Sequence, residues 1–190
     1  VQAAEEFQGS DPRRKAETLL ARLSPEERVG QLFLVTFKGM DVRENSQIYD
    51  LLVNRHVGGV ILSADNNNFI GPENTLNNTH TLISTLQTHR WVFDTGGAAP
   101  DATTSSGNYI PLLVGISQEG DLAPYDQILN GVTSLPNPMA VGATWDPALA
   151  ESTGAVMGKE LQALGFNLFL GPSLDVLDVI RTEPSEDLGT

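Results

Sequence analysis

The sequence contains no cysteine, which excludes disulfides, thiolate metal ligands and a cysteine nucleophile. Long apolar runs are missing too: none approaches the roughly 18 residues that a membrane-spanning helix needs. Basic residues are scarce, eleven Lys and Arg against twenty-four Asp and Glu, for a formal charge of −13. That balance disfavours a nucleic-acid partner, whose phosphates are neutralised by Lys and Arg. It also disfavours docking on an anionic membrane. Solubility is the simplest role for the excess acid. Histidine occurs only at His56, His80 and His89. His80 and His89 share one expected helix, but not at the i, i+4 spacing of a helical metal pair. His56 falls at a helix end, where a cation suits the dipole. No Gly-rich loop follows a strand at P-loop or dinucleotide spacing, and Ser117 lacks the G-x-S-x-G setting of a hydrolase elbow. No metal and no cofactor are therefore expected. The opening "VQAAEEFQGSDP" has neither Met nor a signal-peptide core, as in a processed secreted protein or a trimmed chain.

What is present is patterned. A chain of 190 residues with 40% hydrophobic and 18% charged content suits one globular domain. Four apolar runs read as strands: "QLFLVTF" (31–37), "GGVILSA" (58–64), "PLLVGIS" (111–117) and "FNLFLGPSL" (166–174). They are continuous rather than alternating, as in parallel strands covered on both faces. Helical patterns separate them. Asp11-Pro12 starts a helix with Ala16, Leu19, Leu20 and Leu23 on one face. Ser24 and Glu27 stand at capping-box spacing before a second helix. Ile48, Leu51 and Leu52 mark a third, with Arg55 at its edge, and Leu76, Leu82, Ile83 and Leu86 a fourth. The clearest begins at Asp146-Pro147, carries Leu149, Val156, Met157, Leu161 and Leu164, and stops at Gly165. Gly154 and Gly158 on it predict close packing against the sheet. Asn77, in a formal glycosylation sequon, reads as a polar helix residue. The order α, α, β, α, β, α, β, α, β predicts an α/β fold with right-handed crossovers and a parallel sheet. A polar, Gly- and Ser-rich insert at 91–109 is expected to be a flexible surface loop.

Polar side chains cluster where the strands should end: Lys38, then Ser63 and Asp65, then Ser117 to Asp121, then Ser173 and Asp175. In parallel α/β folds those ends converge on the active site. Spacing alone makes Glu119 and Asp175 a possible carboxyl pair for glycosidic cleavage. The simpler alternative has Asp175 capping a turn and Glu119 binding loop amides. At this point the residues specify a loop-built site and not a reaction.

Five segments in order add a resemblance. "LSPEERVGQLFLVTFKG" (23–39), "HVGGVILSADN" (56–66), "IPLLVGISQEG" (110–120), the stretch 134–176 and "DLGT" (187–190) resemble the N-terminal domain of glycoside hydrolase family 3. That family contains β-N-acetylhexosaminidases and β-glucosidases. The resemblance implies a TIM-like (β/α)₈ barrel, of which residues 1–190 would form the first half, about four βα units. It implies retaining hydrolysis of β-linked sugars through a covalent glycosyl-enzyme, without metal or organic cofactor. "GVTSLPNPMAVGATWD" leans towards the hexosaminidase-like branch. The family pattern, similar to D-Q-E-G-G, has Asp where this chain has Ser117 and Gly where it has Asp121, so the sugar-binding loop is altered. Asp175 matches an aspartate that supports the site and is not the nucleophile.

The family's sugar-binding Arg, its Lys-His pair, its acid/base loop and its nucleophile all match positions after Thr190. Two functions follow as expectations. One is the N-terminal portion of a secreted or cell-surface glycosidase. The other is a non-catalytic carbohydrate-binding or structural surface protein. A self-contained small α/β binding domain is a third. Substrate-binding candidates are Ser117, Glu119, Asp121 and Asp175, expected to line one cleft, and no catalytic residue is assigned in the chain. The expected partners are carbohydrate and either later residues of the same polypeptide or another chain, completing the barrel.

Overall fold

Four short parallel strands carry the fold: β1 (Leu34–Val35), β2 (Gly59–Ile61), β3 (Leu113–Ile116) and β4 (Leu168–Phe169). They lie in the order β1-β2-β3-β4, and every neighbouring pair is parallel. The computed structural model describes residues 11–97, 109–124 and 126–174. Helices α1 (Pro12–Arg22) and α2 (Pro25–Gly30) precede β1. Helix α3 (Gln47–Val53) joins β1 to β2, and α4 (Thr75–Thr95) joins β2 to β3. A short α5 (Pro138–Gly142) and then α6 (Pro147–Leu164) lie between β3 and β4. Strands in sequential order, with the right-handed crossovers that parallel pairs require, put their helices on one face. That is the winding of a barrel wall; a doubly wound sheet reverses its strand order.

Register separates the two faces. Leu34, Gly59 and Leu113 are aligned across three strands, as are Ile61, Gly115 and Leu168. On the opposite face Val60, Leu62, Val114 and Ile116 are fully buried beneath Ile48 and Leu52 of α3 and Leu82, Ile83 and Leu86 of α4. The face without helices shows Leu34 and Leu113 at 41% and 42% exposure. Gly59 lies between them, where a Cβ would come within 2.6 Å of Leu34 Cδ2 and 2.4 Å of the Leu113 carbonyl oxygen. Alternation of large and small residues in one layer is how a barrel interior fills.

Helix starts follow their sequence signals. The Asp11 and Asp146 carboxylates accept from the backbone N–H groups of Arg13 and Ala148, each just before a first-turn proline. Ser24 and Glu27 form the reciprocal capping box, and Gly165 ends α6 in the left-handed region. Elsewhere the structure corrects the sequence reading. Helix α4 runs through Thr95, five residues into the expected insert, and Gly96 closes it at φ 65°. Within that insert residues 98–108 lie outside the described residues, as does Asp175. Helix α1 buries none of its residues, and Leu20 is 52% exposed; only Leu23, at its C-cap, docks. Helix α6 packs through Leu161 and Leu164, leaving Leu149 and Val156 exposed. Its Gly154 and Gly158 have nothing within 4 Å of an added Cβ, so they make no close approach to the sheet. Among the described residues no element covers those faces of α1 and α6.

The strands are also shorter than the apolar runs, because side-chain amides take the backbone groups that a longer ladder would use. Gln87 bonds both the N–H and the carbonyl of Leu112 at 3.0 and 2.9 Å. Asn167 accepts from Val114 N at 2.7 Å and donates to the Leu112 carbonyl at 2.9 Å. At the other end buried Asn68 donates to the carbonyls of Phe37 and Gly39 and accepts from Ser63 N.

Candidate functional site

The segment leaving β3 is the most highly organised of the loops at the C-terminal strand ends. Ser117 is half-buried immediately after the strand, two residues beyond Gly115 and so on the helix-free face by alternation. Buried Gln118 turns back: its Oε1 accepts from the N–H groups of Gln127 and Ile128, and its Nε2 donates to the Ile128 carbonyl. Asp126, 6% exposed, accepts from Glu119 N at 2.9 Å, Gly120 N at 2.7 Å and Leu122 N at 3.0 Å. The Gln127 side chain accepts from Ala64 N at 2.8 Å, tying this loop to the one after β2.

Backbone demand is high in the turn itself. Gly120 has φ 97°, and a Cβ there would lie 2.5 Å from the Pro136 carbonyl oxygen. Asp121 and Leu122 follow at φ 62° and 61°, in the left-handed region that costs an L-residue roughly 1–2 kcal/mol. Asp121 is exposed and accepts from Asn137 Nδ2, while Asn137 Oδ1 caps α5 by accepting from Ala140 N.

A groove of about 490 Å³ opens beside the ends of β3 and β4, lined by Glu119 and Ser173 among Trp145, Met157, Phe169 and Leu174. With Gln118 it brings together three of the polar residues expected at strand ends. Ser117 and Asp121 do not line it, so the expectation of one cleft lined by all the candidates does not hold for these two; Asp175 lies outside the described residues. Their strands do end together, as the parallel register requires. Lys38 and Asp65 are exposed, and Ser63 Oγ accepts from Asn66 N. In the loop after β1, hydrogen bonds from Arg43 hold the exposed Asp41 carboxyl down at about 2, and Asp41 in turn raises Arg43.

The histidines are dispersed. His80 is exposed, His89 meets Tyr49 edge-on at 5.0 Å, and the His56 ring lies against Phe93 at 5.6 Å, past the end of α3. Among the described residues no three His, Asp or Glu converge as metal ligands would. Nor is any described helix long and apolar enough to cross a membrane. Sequence reasoning missed Asp126, Gln127 and Asn68. Nothing local distinguishes them: each acts on backbone groups of another turn or strand.

Residues 24–185 match the glycosyl hydrolase family 3 N-terminal domain. The chain belongs to glycosyl hydrolase family 3. A family 3 β-N-acetylglucosaminidase from Paenibacillus sp. str. FPU-7 superimposes with a TM-score of 0.62 at 32% identity, over 81% of this chain and 25% of that one. Beta-hexosaminidase A of Pseudoalteromonas piscicida is 28% identical over 134 residues, 68% of this chain. The β-glucosidase cel3A of Pyricularia oryzae is 33% identical over 100 residues, half of the chain. The matched region spans 19% and 13% of those two proteins. An exo-1,3/1,4-β-glucanase from a Pseudoalteromonas species, 18% identical, shares the fold with a TM-score of 0.59 over 85% of this chain and 23% of its own. The fold class is thus that of the family 3 N-terminal domain, α/β and barrel-like. The family pattern also accounts for the turn: it has Gly where Asp121 sits at positive φ, a conformation that glycine takes without strain.

Proposed function

We propose that residues 1–190 are the N-terminal portion of a secreted or surface glycosidase that hydrolyses β-N-acetylhexosaminides or β-glucosides with retention. The observation that carries this reading is the turn after β3, whose described residues are tied together by the side chains of Gln118 and Asp126 in a chain of this family. The relatives named as a hexosaminidase, an N-acetylglucosaminidase and a β-glucosidase support the substrate class. No residue of the chain matches the family nucleophile or acid/base. Their loss typically removes several orders of magnitude in rate, so residues 1–190 alone are inactive on this reading. Among the described residues no strand pairs with the outer sides of β1 and β4, which supports completion of the sheet by later residues or by another chain.

The test is turnover of 4-nitrophenyl N-acetyl-β-glucosaminide and 4-nitrophenyl β-glucoside by the full-length protein, with the anomer first released read by NMR. Retained configuration with one of the two substrates is the expected result. Inversion, or turnover by the 1–190 fragment that Glu119→Gln abolishes, would sink the assignment. A second reading, non-catalytic carbohydrate binding, is favoured by one observation. Ser117 replaces a charged acceptor, weakening any bond to a sugar hydroxyl. Sugar binding without turnover by the full-length protein selects it. Immunoblots of medium, surface and cytosol fractions test the compartment.

A further inference from the structure

Three backbone N–H groups in the turn after β3 point into one concavity, those of Glu119, Gly120 and Leu122. Such a concavity is a ready anion site, and here the chain fills it with its own carboxylate, Asp126. The fit is tight on both sides, because Asp126 N donates back to the Leu122 carbonyl at 2.8 Å. The next two residues anchor the clip. The Gln127 side chain holds Ala64 N of the β2 loop, and Ile128 is bonded through both N–H and carbonyl to Gln118. Asp126 is buried and lines the small cleft behind the turn, not the groove that Glu119 enters.

We infer that Asp126 is a positioning residue for β-glycoside binding: without touching sugar, its carboxylate sets the backbone that presents Glu119 to the groove. The inference rests on the glycosidase or sugar-binding reading above. A carboxylate suits the task because both oxygens accept, giving three charge-assisted bonds. An asparagine keeps the shape but turns an NH₂ towards the Leu122 N–H, so that bond is lost and the turn loosens.

The experiment compares wild-type full-length protein with Asp126→Asn and Asp126→Ala by hydrogen exchange, by kinetics and by binding of N-acetylglucosamine and glucose. Exchange at Glu119, Gly120 and Leu122 is expected to quicken on the order of a hundredfold in Asp126→Ala, with strand amides unchanged. KM is expected to rise on the order of tenfold while kcat changes far less, because the loop aligns substrate and the reacting groups lie elsewhere. If wild type binds sugar without turnover, Kd replaces KM as the readout. Should Asp126→Ala fail to fold, the milder Asp126→Asn carries the same comparison. Uniformly faster exchange across β2 and β3 in Asp126→Asn would make Asp126 a purely structural residue and overturn the inference. So would an unchanged KM or Kd in a protein whose wild type acts on or binds sugar. A wild type that does neither removes the sugar reading itself, and the positioning role with it.

Discussion

Two residues in the turn after β3 hold conformations that their side chains disfavour. Leu122 sits at φ 61° and is exposed, so its side chain contributes little to set against the strain. Leu122→Gly removes that strain at the cost of a more flexible unfolded chain. Stability is therefore expected to hold or to rise by up to ~1 kcal/mol, read as a urea midpoint, whereas Leu122→Val should fall below wild type. At the other end of the sheet Arg90 and Asp94 form an ion pair at 2.7 Å, with side chains 1% and 4% exposed, and among the described residues Arg90 Nη1 has no hydrogen-bond partner. Burial raises the Asp94 carboxyl above 3.8, outweighing the opposing pull of Arg90. A raised carboxyl means the folded chain binds the proton more tightly than the unfolded chain does. The stability from this group is thus fully present below 3.8 and is lost as pH rises through the folded value. Urea midpoints measured upward from pH 3.8 should show that downward contribution in wild type and lack it in Asp94→Asn.

At the scale of elements, carboxamides finish what the strands begin. Asn68 is fully buried and joins the ends of β1 and β2 through the carbonyls of Phe37 and Gly39 and the N–H of Ser63. Asn68→Ala strands those groups, and with about 1–3 kcal/mol for each one left buried and unmet, a loss of roughly 2–4 kcal/mol is expected in thermal or urea melts. Asn68→Asp should be worse despite its equal size, since it turns a carboxylate oxygen on two carbonyl oxygens. Equal destabilisation by the two variants would contradict this bonding pattern. Helices show the converse. The capping box of α2 and the Asp-Pro start and Gly stop of α6 were legible because each signal and its target lie within four residues. The end of α4 was not, because a Ser/Gly-rich stretch hid the Arg90–Asp94 pair and the Gly96 cap that carry the helix on to Thr95.

For the whole molecule, some of the apolar residues left in water flank the two outer strands. Leu32 and Phe33 are 82% and 53% exposed beside β1, and Leu170 and Leu174 are 39% and 85% exposed beyond β4. Bare edges flanked by such side chains pair with other chains. Residues 1–190 expressed alone are therefore expected to self-associate, with a scattering mass that climbs with concentration, despite the charge of −13. A monomer with a single cooperative melt at every concentration would favour a sheet closed within these residues.

Local periodicity, short-range signals and ordered motifs were enough to settle the order of the four strands and of the described helices except the short α5, the parallel class, the starts of α1, α2 and α6 and the family. Where the ladders stop, which apolar stripes are covered and how the turn after β3 is held emerged only in the packed chain. Many of the bonds responsible join residues far apart in sequence: Gln87 to Leu112 across 25 residues, Asn167 to Val114 across 53, and Gln127 to Ala64 across 63, whereas Asp126 reaches back only four to seven. A side-chain amide or carboxylate reads the same in sequence whether it faces water or a distant backbone group. Packing of the strands chooses between the two, and so made Asp126 the hub of a loop whose sequence pointed first to Ser117 and Glu119.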